Sequence, residues 1–231
     1  MLLCPSSDAG GRVNMRAILL PLLLCLAQPV LAERQSFPPR DEAADNPAVL
    51  AARDALRAAV AARDLGRLSA AACADLSLSD DGPGGPEELR QMLTVSDTNS
   101  ETTVETRWQM LAKALAAPGY FDAEGEFWMP HHWRIQLPAR IDPAQAHFVT
   151  GANVNLRKTP ERTGEILTQV SFEVVLTAGF DPGAEYRAII LSDGTRGYLH
   201  RDYLTPMSGP RAALAQSPEG IWQLCTFTSG R

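Results

Sequence analysis

The most informative part of this chain runs from Asn153 to Leu204 and reads NVNLRKTPERTGEILTQVSFEVVLTAGFDPGAEYRAIILSDGTRGYLHRDYL. Short apolar runs alternate here with turn signals, as expected for a set of short strands. Three runs each place two apolar side chains on one strand face: Val154 with Leu156, Val174 with Leu176, and Ile189 with Leu191. Asp193-Gly194 suits a tight turn with positive φ. The pattern predicts a small, strongly bent β-barrel with a surface groove, which points to binding rather than to catalysis.

Residues 148–207 also carry several short motifs in a characteristic order. These are Val154-Asn155-Leu156-Arg157 followed by Pro160, Ile166-Leu167 and Val170, Val174-Val175-Leu176, Asp193-Gly194, Gly197-Tyr198-Leu199, and Tyr203-Leu204. In this order they resemble a bacterial SH3 domain, of the exported type that is common in envelope proteins. Tyr186 and Tyr198 stand where that family usually has tryptophan, and Phe172-Glu173 stands where it often has glycine. The resemblance implies an SH3-like barrel of about sixty residues.

The resemblance also implies where a ligand would bind, since SH3 folds bind extended peptides in aromatic grooves. Arg157, Tyr198 and Tyr203 are therefore the candidate ligand-binding residues. For Tyr186 a place in the core is the favoured interpretation, and the choice between core and groove stays open for Tyr198 and Tyr203. Arg157 either contacts a carboxylate of the ligand or pairs with Asp202 at the surface.

The N-terminus has the pattern of a secretory signal. Arg16 precedes the apolar segment 17–27, and Val30-Leu31-Ala32 offers small residues at the positions that a signal peptidase reads. We therefore expect residues up to Ala32 to be a signal peptide that is cleaved before Glu33, with Met15 as an alternative start. The apolar segment is too short to span a membrane and no second one follows, so we expect a periplasmic or secreted protein without a membrane span.

The charge of the chain argues against nucleic acid as a partner. With 21 Lys and Arg against 27 Asp and Glu, the formal net charge is −6. Basic residues are not clustered in the sequence, whereas neutralising phosphates requires concentrated positive charge.

Two cysteines, Cys73 and Cys225, lie beyond the predicted signal peptide. Because the exported compartment is oxidising, a disulfide between them is one interpretation, and it would tie the first domain to the C-terminal segment. The other interpretation is two buried thiols that act as small apolar side chains.

We expect an α+β fold. It comprises a mostly helical N-terminal region, a small SH3-like β-barrel and a C-terminal strand that returns to the first domain. The predicted divisions are a flexible leader (33–45), a helical α+β domain (46–137), a linker (138–147), the SH3-like module (148–207) and a return segment (208–231).

Short sequence patterns predict the individual helices and strands within these divisions. Asn46-Pro47 is typical of a helix start, and further helices are expected from Pro86 and around Val104 to Leu115. A short helix is expected over 67–73. Strands are predicted at 76–78, 120–121, 127–129, 133–137 and 221–227 from alternating apolar residues. Residues 211–216 are left open between a helix and an irregular return.

Few residues in the sequence are candidates for a catalytic or metal-binding site. His131-His132 suggests a metal site, but neighbouring side chains on a strand point to opposite faces, and no Cys or carboxylate has a zinc-site spacing. The phosphate-loop, nucleophile-elbow and zinc-protease motifs are absent from the sequence, as is the Asp-Cys-Ser-Gly run of peptidoglycan cysteine peptidases. We therefore predict no cofactor and no catalytic residue.

Two functions follow from these observations. The first is an exported, non-catalytic binding protein of the bacterial envelope, whose SH3 module binds peptidoglycan peptides or a protein partner. The alternative is a small periplasmic enzyme or ligand-binding protein with a pocket in 46–137, near His131 and an aromatic cluster, and with the SH3 module as an accessory. A purely structural scaffold is a third option.

Overall fold

The computed structural model describes residues 33–78, 84–96, 102–179, 181, 183–228 and 230. The predicted signal peptide, including Ala32, lies outside the described residues. The described chain contains both helices and sheets, which confirms the α+β class.

Four α-helices and three 3-10 turns lie within the described residues. The helices are α1 (Pro47–Ala61), α2 (Leu65–Ala70), α3 (Gly85–Thr94) and α4 (Val104–Ala116). The 3-10 turns cover Glu42–Asp45, His131–Arg134 and Arg201–Tyr203. Helix α1 begins as its sequence predicts, because the Asn46 side chain accepts a hydrogen bond from Val49 N at 3.2 Å and Pro47 needs no such partner. Thr103 caps α4 in the same way.

Twelve strands are found in the described chain. They are β1 (Ala72–Ser77), β2 (Tyr120–Phe121), β3 (Phe127–Met129), β4 (Ala146–Val149), β5 (Val154–Arg157), β6 (Ile166–Val170), β7 (Val174–Thr177), β8 (Tyr186–Ile190), β9 (Arg196–His200), β10 (Leu204–Pro206), β11 (Arg211–Gln216) and β12 (Trp222–Thr228). They form a five-stranded sheet in the order β1-β12-β11-β3-β2 and a seven-stranded sheet in the order β10-β4-β7-β8-β9-β5-β6.

The last strand returns to the first sheet, as the sequence predicts. Strand β12 lies parallel to β1, with Ala72 opposite Leu224, and antiparallel to β11. Cys73 and Cys225 face each other across this parallel pair and form a disulfide, with their Cα atoms 4.9 Å apart. All seven strands of the second sheet therefore lie in sequence between β3 and β11 of the first.

The main core lies between the first sheet and the helices. Helices α1, α3 and α4 turn their apolar faces towards this sheet, where side chains from both layers are fully or almost fully buried. These side chains include Leu56, Leu89, Leu111, Leu115, Phe127 and Phe227. Burial on this scale is the dominant stabilising contribution in a domain of this size.

The second sheet has its own smaller core and is not a closed barrel. The apolar pairs that the sequence identifies contribute to it through Val154, Leu156 and Ile189. The turn at Asp193-Gly194 is also confirmed, since Gly194 has a φ of 84° and donates to the Leu191 carbonyl. Within the described residues, however, no pairing joins the edge strands β10 and β6, so the structure does not show the predicted barrel.

Residues 33–45, predicted as a flexible leader, make specific contacts in this structure. Arg34 donates to both carboxylate oxygens of Glu173, at 2.9 and 2.6 Å, and Phe37 N donates to the Phe172 carbonyl at 2.7 Å. Ala43, in the first 3-10 turn, is completely buried. The Glu173 and Phe172 partners are distant in sequence, so local sequence patterns do not indicate them.

Three local predictions need correction. The strand expected over 133–137 is not formed, because Trp133 and Arg134 belong to the 3-10 turn His131–Arg134 and residues 135–137 lie in no strand. The short helix expected over 67–73 is present as α2, but it ends at Ala70 and strand β1 begins at Ala72, where it pairs with β12. The segment 211–216 is a strand rather than a helix or an irregular return, because β12 and β3 pair with it on either side. In the last two cases, pairing between distant segments overrides local preference.

Candidate functional site

The second sheet presents a groove of about 420 Å³ at the ends of β5, β8 and β9. Its lining combines both signs of charge with aromatic rings. The side chains with charged or aromatic groups are Arg157, Arg162, Glu185, Tyr186, His200, Asp202 and Tyr203. Asn153 and Asn155 add polar groups along one wall.

His200, the last residue of β9, connects most of these groups. Its Nδ1 accepts a hydrogen bond from Asp202 N at 3.3 Å, so its Nε2 carries the proton that it donates to Glu185 Oε1 at 3.0 Å. The rings of Tyr186 and Tyr203 lie edge-on to the imidazole, with centroids 5.1 and 6.4 Å away. The imidazole thus has a fixed orientation between two carboxylates and two tyrosines.

Of the three predicted ligand-binding residues, the structure brings two into this groove. Arg157 lines it and donates to the Gly164 carbonyl at 2.8 Å. Tyr203 also lines it, with 46% of its surface exposed. Tyr198 does not line it; this half-buried residue lies on β9 opposite Arg157 of β5.

The structure also shows where the neighbouring residues lie. Within the described chain Arg157 forms no ion pair with Asp202, whose carboxylate lies 3.5 Å from His200 Nδ1. Tyr186 is half-buried and lines the groove, although a place in the core was the favoured interpretation. Sequence reasoning missed His200 and Glu185; the only sequence signal for His200 was its position directly after Gly197-Tyr198-Leu199.

The groove has the chemical features needed to bind a peptide-like ligand. Arginine forks suit carboxylates, and the carboxylates of Glu185 and Asp202 suit amino groups. The exposed face of Tyr203 provides apolar contact area at low entropic cost. A ligand with both carboxylate and amino groups would find partners for both in this groove.

His131 and His132 lie in a different place, at the junction of the two sheets. They belong to the 3-10 turn and are both buried, with 8% and 5% of their surface exposed. The His132 ring stacks on Phe148 of β4 at 4.7 Å, and the His131 ring meets the same phenyl edge-on at 5.3 Å. The expected strand geometry, which would point the two rings to opposite faces, is wrong, because this segment is a 3-10 turn.

Burial favours the neutral form of both imidazoles. It is the main cause that lowers the pKa of His132 to about 3, and the neighbouring His131 and Lys113 lower it further. Burial also lowers the pKa of His131, with a smaller contribution from Arg134 and against the effect of a hydrogen bond with the Phe37 carbonyl. The two rings act here mainly as aromatic packing groups.

A pocket of about 170 Å³ does lie beside His131 and His132. It is not confined to residues 46–137, because Phe148, Phe172 and Thr205 of the second sheet region complete its wall. The aromatic cluster that also motivated the alternative function is largely core, with Trp108 and Phe127 buried.

The described residues contain no group of three or more His, Cys, Asp or Glu side chains arranged to hold a metal ion. None of their helices is both long enough and apolar enough to cross a membrane.

Comparison with known proteins gives no assignment: no protein-family model matches the chain, and no curated protein or solved structure shows significant similarity to it.

Proposed function

We propose that this chain is an exported, non-catalytic binding protein of the bacterial envelope. Residues 148–207 act in it as an SH3-like module that binds peptidoglycan stem peptides or a protein partner. The observation that carries the proposal is the groove of about 420 Å³ in which Arg157 and Arg162 lie with Glu185 and Asp202.

The composition of the groove favours a short peptide over a sugar or a nucleic acid. Stem peptides present carboxylates and, before cross-linking, a free amino group. Both charge signs are available in the groove, and the exposed ring of Tyr203 lies at its edge. A nucleic-acid ligand would require a uniformly positive groove, which Glu185 and Asp202 prevent.

The Cys73–Cys225 disulfide supports the location. Disulfides persist in oxidising compartments such as the periplasm and are rare where thiols are kept reduced. Determining the N-terminal residue of the protein from a cell-envelope fraction tests export directly. We expect Glu33 at the N-terminus, and a protein recovered only from the cytoplasm with residues 1–32 intact would contradict the proposal.

Co-sedimentation with purified peptidoglycan sacculi tests the ligand. We expect the purified protein to sediment at low salt and an Arg162→Gln, Tyr203→Ala double variant to stay largely in the supernatant. Both replaced side chains are exposed, so the fold should be retained. Arg57→Gln on α1 is the matched control, since Arg57 is also exposed and lies outside the groove.

Failure of the wild-type protein to sediment would refute the peptidoglycan version. Affinity capture from a detergent-free envelope extract then tests the protein-partner version. A partner recovered by the wild type and by Arg57→Gln, but not by the double variant, would support it.

A further inference from the structure

A second binding site lies between helix α4 and the second sheet, where two cavities adjoin. One is the pocket of about 170 Å³ beside His131 and His132, and the other is an open groove of about 730 Å³. Lys113, Thr150 and Thr205 line both cavities, so these side chains form their common boundary. Apart from Asp202, the two cavities share no lining residue with the groove described above.

The smaller cavity is predominantly apolar. Its walls include the Phe148 ring, Ala114 and Ala117 at the end of α4, and the neutral ring of His132. A cavity of about 150 Å³ with apolar walls holds one benzene molecule, so this pocket has room for a single aromatic ring or a short branched alkyl group. Because it is formed by residues from both sheet regions, a ligand in it would contact both.

One residue that lines this pocket, His131, has a polar atom without a hydrogen-bond partner. The Phe37 carbonyl can only accept, so His131 faces it with Nε2–H at 3.4 Å and keeps Nδ1 as an acceptor. This Nδ1 is buried and has no hydrogen-bond partner in the described structure. Buried polar atoms are almost always paired in folded proteins, so this unpaired acceptor is an exception at the edge of the pocket.

The larger cavity is positively charged, in contrast to the net charge of −6 of the whole chain. Lys113, Arg187 and Arg201 line it, and Asp202 is the one carboxylate among its lining residues. Lys113 and Arg201 are exposed and form no ion pair within the described chain. Burial, opposed by a hydrogen bond with the Gln145 carbonyl and reinforced by Arg187, lowers the pKa of His147 and so favours its neutral form.

We propose that the two cavities together bind a small amphiphilic anion. Its aryl or short branched alkyl group occupies the pocket beside Phe148, and its carboxylate or phosphate lies beside Lys113 and Arg201. Neither cavity alone would hold the whole ligand, because the pocket is too small for most ligands and the groove is open to solvent. Lys113 at their boundary places a positive charge at the mouth of the apolar pocket, which is where such a ligand carries its negative charge.

Isothermal titration calorimetry with the purified protein tests this site. The probes are 3-phenylpropionate, phenyl phosphate, the uncharged 3-phenylpropanol and propionate, which lacks the ring. We expect 3-phenylpropionate or phenyl phosphate to bind with a dissociation constant below about 1 mM, and the alcohol and propionate to bind at least about tenfold more weakly. The aryl anion that binds with the lower dissociation constant shows whether the site prefers a carboxylate or a phosphate head group.

Variants assign the binding to these residues. Lys113→Gln with Arg201→Gln should weaken binding of the preferred anion at least about tenfold, whereas Arg57→Gln should leave it unchanged. Ala117→Leu places additional bulk at the wall of the pocket and should weaken binding of both aryl anions.

The proposal would be overturned by absence of saturable binding by either aryl anion, by equal affinity for 3-phenylpropanol, or by unchanged affinity in the Lys113→Gln, Arg201→Gln variant. An equal loss of affinity in Arg162→Gln would place the anion in the other groove and would also overturn it.

Discussion

Replacement of His132 by phenylalanine should make the protein more resistant to acid. The imidazole is buried against Phe148, with ring centroids 4.7 Å apart and planes inclined by 12°. A phenyl ring can keep this stacking arrangement, and it removes a group that the unfolded chain can protonate. The expected effect is therefore on the pH dependence of stability more than on stability at neutral pH.

The magnitude follows from the pKa of His132, which burial and then His131 and Lys113 lower from 6.5 to about 3. Below pH 6.5 the unfolded chain binds a proton at this position that the folded protein does not. Above this pH, His132 therefore does not reduce the free energy of unfolding. As the pH falls from 6.5 towards about 3, protonation of His132 in the unfolded chain lowers this free energy progressively. One pKa unit corresponds to about 1.4 kcal/mol, so the loss is about 2 kcal/mol at pH 5 and about 3 kcal/mol at pH 4.

Urea denaturation followed by tryptophan fluorescence, between about pH 8 and about pH 4, measures this loss. The His132→Phe variant should lose about 2 kcal/mol less than the wild type between pH 8 and pH 5. Trp133→Phe is the control, because it changes a neighbour in the same turn without changing a titratable group. Parallel pH profiles for wild type and His132→Phe would show that His132 is not buried as a neutral ring.

Three further predictions concern stability, all measured by urea denaturation at neutral pH. Replacing Cys73 and Cys225 with alanine should lower the free energy of unfolding by about 3–5 kcal/mol, because the bridge closes a loop across 152 residues, and a loss below about 1 kcal/mol would contradict a formed bridge. Arg34→Ala should cost about 2–3 kcal/mol because it leaves the buried Glu173 without its ion pair, and Arg34→Ala in a Glu173→Gln background should cost clearly less. Phe227→Ala should cost about 3–5 kcal/mol, since this side chain is fully buried in the main core; an unchanged midpoint would place it elsewhere.

Sequence reasoning succeeded where structure depends on neighbouring residues. The cap at Asn46, the turn at Asp193-Gly194 and the alternating strand Trp222–Thr228 all depend on short-range geometry, and each is present in the structure. It failed for the alanine-containing segment 211–216, which β12 and β3 hold as a strand.

In the candidate site, too, residues in local motifs could be predicted, whereas residues brought together by strand pairing could not. Arg157 and Tyr203 were found because they belong to short motifs in a recognisable order, and both line the groove. Glu185 and His200 were missed because nothing near them in sequence indicates that the antiparallel pairing of β8 and β9 brings their side chains to 3.0 Å.

Local sequence signals specify the conformation of the helices, the turns and most strands, and they identify the candidate cysteine pair. Hydrophobic period, capping residues and turn residues act within a few positions of the chain and so can be read directly. By contrast, the contact of the leader through Arg34 and the adjoining of the two cavities beside Lys113 are visible only in the folded protein. These features arise from contacts between residues far apart in the chain, and local sequence patterns carry no information on which distant segments will pack together.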